Sequence, residues 1–156
     1  VELTILGSVT QEIKLKLSSL LHLKKHQIIW LENVQEAQLF TICQQSDIGL
    51  ALEPGFSINN NIALSNKIFT YLLSGVAIVL SNTKAQEQFF DANKHIGFKY
   101  EIGNFEQLAD LLNEYIRNPD LLMFHKTNAL QLGLKKYHWE NDRDSFCDLI
   151  VKIVNQ

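Results

Sequence analysis

Residues 64–82, LSNKIFTYLLSGVAIVLSN, place a helix-start signal, an amphipathic helix, a glycine stop and an apolar strand in direct succession. Ser65 is a candidate N-cap, because its hydroxyl can accept a backbone N–H that the first helical turn leaves unpaired. Ile68, Phe69, Leu72 and Leu73 recur at helical spacing, and Gly75 stands where a left-handed C-cap is wanted. Residues 76–80 are apolar throughout and rich in branched side chains, which predicts a strand buried on both faces. Ahead of the helix, EPGFSINNN at 53–61 is a polar loop leaving a second apolar run at 48–52. A loop at the carboxyl end of a strand that delivers a helix N-terminus is where open α/β sheets bind anionic ligands.

Towards the amino end, residues 3–6 are a strand candidate closed by Gly7, and Thr10 caps a helix carrying Ile13, Leu17, Leu20 and Leu21. Residues 28–31 are the second strand. Asn33 and Glu36 have capping-box spacing, in which two side chains satisfy each other's backbone donors, and open a helix through Ala37, Phe40 and Cys43. Asp47 begins the third strand. Towards the carboxyl end, Thr83 and Gln86 repeat the capping-box spacing before a short helix through Phe89 and Phe90. Residues 96–101 alternate, as an edge strand with one wetter face does. Asn104 and Gln107 open a helix whose Phe105, Leu108, Leu111, Leu112, Tyr115 and Ile116 form one stripe. Asn118-Pro119 is a cap followed by proline at the first helical position, starting a helix through Leu122, Phe124 and Leu130 that ends near Gly133. Asn141 or Asp142 caps the last helix, with Phe146, Leu149, Ile150 and Ile153 inward.

Short apolar strands alternating with helices predict an α/β fold: a three-layer Rossmann-like parallel sheet with helices on both faces and extra C-terminal helices. At 156 residues the chain reads as one domain. Only Gly7 follows the first strand, so the GxGxxG fingerprint of dinucleotide-dependent dehydrogenases is missing. A receiver-type signalling domain would need an acidic cluster after the first strand and a phospho-acceptor Asp after the middle one, and Gly7-Ser8 and Glu53-Pro54-Gly55 supply neither. Net charge −3 gives no footprint for a nucleic-acid partner. Cys43 and Cys147 lack CxxC spacing and fall on apolar helix sides, as buried reduced thiols do. His22 and His26 are separated by Lys24 and Lys25, which suits a solvated helix end, and no histidine pairs at metal spacing, so no metal is expected. Trp30 and Trp139 read as packing groups. No apolar run approaches the roughly 20 residues that span a bilayer, and no signal peptide is present, which predicts a cytoplasmic location. Val1 leads straight into a strand, so the chain is expected to be a piece of something longer.

The string SNKIFTYLLSGVAIVLSN resembles the donor-binding signature of GT-B glycosyltransferases of the large retaining family 4. Asn66, Lys67, Phe69, Tyr71, Leu72, Gly75, Val79 and Ser81 match as they stand, and DIGLALEPGFSINNN is similar to the strand and loop leading into that signature. The resemblance implies a carboxyl-terminal nucleotide-sugar-binding domain, spanning 1–156, in an enzyme that transfers a hexose from a nucleoside diphosphate to a glycan or lipid-linked acceptor during polysaccharide biosynthesis. It implies a missing N-terminal domain and a missing first strand-helix unit carrying a basic phosphate-binding residue. The absent strand would lie between residues 3–6 and 48–52, so those two close on one another or another chain fills the gap, as in a homodimer. The location implied is cytoplasmic, peripheral at the inner face of the membrane. No cofactor is implied beyond the donor itself.

Each site residue also has a plainer role. Lys67 falls in the first helical turn, where a cation opposes the positive end of the macrodipole; a bound diphosphate would reverse that sign, and the alternative is a solvated lysine. Ser65 and Asn66 are caps or ligand contacts. Glu53 is an exposed loop carboxylate, or, as the resemblance implies, a contact to sugar hydroxyls, with Gly55, Phe56 and Ser57 approaching the donor through their backbone. Thr70 stands where the family has a glutamate that holds the ribose. One hydrogen bond to a charged acceptor is worth roughly 1.5 to 3 kcal/mol, so this departure bears on activity more than on fold. The alternative function is a non-catalytic GT-B-like module in protein association.

Overall fold

The computed structural model describes residues 1–20 and 28–154, so the expectations for Leu21, His22 and His26 lie outside the described residues. In chain order the elements are β1 (Leu3–Leu6), α1 (Gln11–Leu20), β2 (Ile28–Leu31), α2 (Glu36–Gln44), β3 (Ile48–Ala51), α3 (Ile58–Ile62), α4 (Asn66–Ser74), β4 (Ala77–Ser81), α5 (Lys84–Ala92), β5 (Gly97–Tyr100), α6 (Phe105–Arg117), α7 (Pro119–Lys136) and α8 (Trp139–Val154). All strand pairings are parallel, β1 with β2 and β3 with β4 with β5, which is the expected α/β, Rossmann-like class. Contacts divide the chain into two units, Val1–Leu39 and Phe40–Gln156.

In the first unit Leu3 lies opposite Ile28 and Leu6 opposite Leu31. Thr10 caps α1 as its position predicts, its Oγ1 accepting the Ile13 N–H at 3.4 Å. The Asn33–Glu36 box does not form. Helix α2 starts two residues later than that box requires, and Gln38 Oε1 reaches back to the Gln35 N–H at 3.2 Å. A glutamine three residues past the cap can satisfy the cap amide by itself, which leaves Asn33 to donate to Ser8 Oγ at 2.9 Å.

The second unit is built on β4, whose five residues are all buried. Successive side chains of a strand point to opposite faces. Ile78 and Leu80 enter a cluster with Ile68, Leu72, Phe89 and Ala129, while Ala77 and Val79 enter another with Tyr100 and Tyr115. Helices α4, α5 and most of α7 thus cover one face, and α6 with Leu121 and Leu122 at the start of α7 the other. Fully burying each branched side chain stabilises the unit by about 1.5–3 kcal/mol. Phe69, Phe89 and Tyr137 meet at centroid distances of 5.4–6.2 Å and join α4, α5 and the end of α7. Between α6 and α7, Tyr115 Oη lies 2.9 Å from His125 Nδ1; burial holds the phenol proton on and keeps the imidazole neutral.

Strand β4 begins one residue later than its apolar run. Gly75 takes φ +67, its N–H bonding Leu72 O, and the Val76 N–H bonds Tyr71 O. This left-handed cap uses the Val76 amide, so the ladder starts at Ala77. Strand β5 is shorter than 96–101 because Ile96 belongs to a 3₁₀ turn, and the Gly97 backbone crosses β4 so closely that a Cβ would meet the Ile78 carbonyl.

The carboxyl end departs most from expectation. Gly133 does not stop α7; its missing side chain lets the helix lie on α4, where a Cβ would stand 3.0 Å from the Leu72 carbonyl carbon. Helix α8 begins at Trp139, so neither Asn141 nor Asp142 is its cap, and Asn141 Nδ2 instead donates to Lys135 O at 2.8 Å. Phe146, Leu149, Ile150 and Ile153 are not inward: α8 has no buried residue, and these four are 45–59% exposed. Cys147 is exposed with them, whereas Cys43 is buried. Trp139 packs edge-on against Phe146 at 5.6 Å and is itself exposed.

Gly97→Ala should destabilise the chain by more than the ~1–3 kcal/mol of ordinary overpacking, because the clash is with β4 backbone. Urea unfolding checks this, and an unchanged midpoint would contradict the β4–β5 geometry.

Candidate functional site

The carboxyl ends of β3 and β4 and the amino end of α4 converge on Glu53. The loop after β3 is not irregular throughout, because Ser57 accepts the Asn60 N–H at 3.1 Å and starts the single turn α3. That turn aims the Asn60 amide back into the loop, where Oδ1 accepts the Gly55 N–H at 2.6 Å and Nδ2 donates to Glu53 Oε2 at 3.0 Å. Lys67 Nζ donates to Glu53 Oε1 at 2.9 Å. Ser65, the residue before α4, makes no cap hydrogen bond through its side chain and hydrogen-bonds the Glu53 carboxylate instead. A carboxylate attracts a hydroxyl donor more strongly than a helix amide attracts a hydroxyl acceptor, which is why the expected cap is not made.

Glu53 is thus neither an exposed loop carboxylate nor a free acceptor. Its side chain is 16% exposed and both oxygens are engaged. The Lys67 hydrogen bond, opposed by burial and assisted by Asn60 and Ser65, holds its pKa below the ordinary glutamate value. Lys67 is 58% exposed, so its ammonium is anchored on one side and open on the other. A carboxylate beside a helix N-terminus is favourable and a lysine there is not; the pair resolves the unfavourable position of Lys67 internally. The arrangement concentrates one anchored cation, the leading amides of α4 and two short hydroxyl-bearing side chains at the end of a parallel sheet, which suits an anionic ligand.

Of the residues singled out in the sequence, Glu53, Ser65 and Lys67 are in direct contact, and Gly55 and Ser57 are tied to them through Asn60. Phe56 is 81% exposed. Asn66 is the first residue of α4, and Thr70 turns its hydroxyl back to the Asn66 carbonyl at 3.5 Å. Sequence reasoning missed three participants. Asn60 was one of three consecutive asparagines, with nothing in the string to favour it over its neighbours. Gln86 reads as half of a capping box, yet Thr83 makes no side-chain cap bond and Gln86 Oε1 accepts from both Ser81 N at 2.8 Å and Ser81 Oγ at 2.9 Å. Ser81 Oγ in turn accepts the Glu53 N–H at 2.9 Å. Among the described residues no group of three His, Cys, Asp or Glu could hold a metal ion, and no helix is long and apolar enough to cross a membrane.

The model of a family described as glycosyl transferase-like matches residues 2–148. Among solved structures the chain is similar to HepE from Anabaena, determined with UDP-glucose, at TM-score 0.75 and 14% identity over 97% of this chain and 41% of that one. It is similar to the C-terminal domain of the group 1 glycosyl transferase LpcC from Francisella tularensis at TM-score 0.60 and 19% identity, covering 81% of this chain and 60% of that one. WaaG, a glycosyltransferase involved in lipopolysaccharide biosynthesis, matches at TM-score 0.66 and 12% identity over 87% of this chain and 34% of that one. At such identities the likeness is one of fold, and the chain spans less than two thirds of each of these structures. No curated protein sequence matches it.

A glutamate whose folded pKa is depressed contributes stability that is present above the unfolded value, near ~4.3, and lost as pH falls through the folded one. Glu53→Gln should therefore lower the melting temperature most near neutral pH, with the gap to the parent closing on acidification. Melting curves across pH check this, and a gap independent of pH would mean that the Lys67 pairing contributes nothing.

Proposed function

Because the chain belongs to the glycosyl transferase-like family, we propose that it is the donor half of a sugar-transferring enzyme, binding a nucleoside-diphosphate sugar at the head of α4. The observation that carries this is the Lys67 ammonium, fixed by Glu53 beside the leading amides of α4 and half open to solvent. The diphosphate would meet Lys67 and the amides of Asn66 and Lys67, while Gly55, Phe56 and Ser57 border the sugar through the loop backbone. As the bond from the anomeric carbon to the diphosphate oxygen breaks, negative charge grows on the leaving group. Donors already in place stabilise that charge without reorganising. The acceptor is a glycan or a lipid-linked glycan, held with its catalytic groups mainly by an N-terminal domain across a cleft. Transfer is of the retaining, hexosyl type in polysaccharide assembly, in the cytoplasm at the inner face of the membrane. Positive charge for the leaving group comes from Lys67 and the helix, and the reading calls on no metal or further cofactor. Thr70 has a hydroxyl directed to Asn66 O where a ribose-gripping carboxylate would serve better. This favours modest affinity and supports, as a second reading, a non-catalytic module in protein association.

Titration of the chain with UDP, GDP and a panel of nucleotide sugars, followed by NMR shifts, tests the proposal. Saturable binding is expected for one nucleotide. Lys67→Ala should weaken it by roughly tenfold to a hundredfold, as loss of a charged hydrogen bond of ~1.5–3 kcal/mol does. No response to any of them at millimolar concentration would favour the association module.

A further inference from the structure

We propose that Ser81 and Gln86 form a buried positioning pair for the donor loop, setting the backbone at Glu53 and through it the place of the Lys67 ammonium. The role presupposes the donor site above, but part of its test does not. Ser81 and Gln86 are both fully buried. Gln86 Oε1 receives the Ser81 N–H at 2.8 Å and lies 2.9 Å from Ser81 Oγ, nearer than the 3.4 Å from that hydroxyl to Ala51 O, so the serine proton goes to the glutamine. Ser81 Oγ therefore presents a lone pair to the loop, and the Glu53 N–H takes it at 2.9 Å. The Glu53 N–H also donates to Ala51 O, two residues back in the chain, at the longer distance of 3.2 Å. The relay runs from the first turn of α5, across the end of β4, to the residue where the loop leaves β3. From that residue the side chain reaches Lys67, Asn60 and Ser65.

The relay is expensive in stability. Gln86 Nε2 and Thr83 Oγ1 are buried without a hydrogen-bond partner among the described residues, and a buried polar group left unpaired is destabilising. A helix start optimised for stability would have the Thr83 hydroxyl on the Gln86 amide, as the sequence spacing allows. Here both side chains forgo that arrangement and the glutamine oxygen is given wholly to Ser81. What this gains is a fixed direction for one loop amide, held by two side chains that are themselves out of water.

The test uses the isotopically labelled 156-residue chain with Ser81→Ala, and with Gln86→Met, which keeps the volume and removes the acceptor, in case the first variant folds poorly. Tyr115→Phe, which loses the bond to His125 far along the sheet, is the control for destabilisation alone. Either relay variant is expected to raise the Glu53 carboxyl titration towards the ordinary glutamate value and to weaken UDP or GDP binding about tenfold, while Tyr115→Phe melts lower and alters neither. Ser81→Thr, which keeps the hydroxyl, should restore both. If Glu53 titrates in the relay variants as in the parent although they melt lower, the pair is only a stitch between β4 and α5 and the proposal falls. If the Glu53 titration moves but the parent binds no nucleotide, the relay stands and the donor-site reading fails.

Discussion

Complete removal of β4 from water is the constraint on which the second unit depends. A strand with water on neither side has to have every side chain matched by an apolar partner and every backbone group paired, and both demands propagate outward. Ile78 and Leu80 require α4 and α7 on one face, while Ala77 and Val79, being smaller, let the Tyr115 ring of α6 approach on the other. The ladder demands then set where the chain can be crowded. Gly97 has to be bare because β5 runs hard against the Ile78 carbonyl, and at Gly133 a Cβ would be tightly placed, 3.0 Å from the α4 backbone.

The rigidity of that strand is transmitted to the polar end of the sheet. Ser81 is the last residue of β4 and the first to use its side chain for something other than packing. Beyond it lies a set of groups that would be poor neighbours if taken singly: a lysine in the first turn of a helix, a glutamate largely out of water, and a helix start whose serine does not cap it. Together they are consistent. The Glu53 carboxylate satisfies Lys67, Ser65 and Asn60 at once, and the helix dipole is offset by the same charge. An incoming anion would find donors already gathered, and it would compete with Glu53 for them. On the donor-site reading, the affinity would be set by the difference between two anions, not by the lysine alone.

Helix α8 follows a different physics. Its apolar positions recur at helical spacing, yet Phe146, Leu149, Ile150 and Ile153 remain exposed. Periodicity reports that a face can be buried; it carries no information on whether a surface is at hand to bury it. The same limit explains Cys147, whose apolar company was legible and whose exposure was not.

The sequence by itself determined the order of the strands and the longer helices, the parallel class and the burial of the β4 run on both faces, because periodicity, Gly75 and the proline at 119 act over a few residues and are decided locally. It also determined Glu53, Ser65 and Lys67 as members of one polar end, since the loop after a strand and the start of the next helix must meet there. Only the tertiary structure decided which donor served which acceptor. Ser65 left its cap for a carboxylate, Gln86 left its capping box for Ser81, and Asn60 was chosen among three asparagines by a single turn of helix. Hydrogen-bond partners are selected by distances of a few tenths of an ångström between groups far apart in the chain, and a linear pattern has no means of expressing those distances.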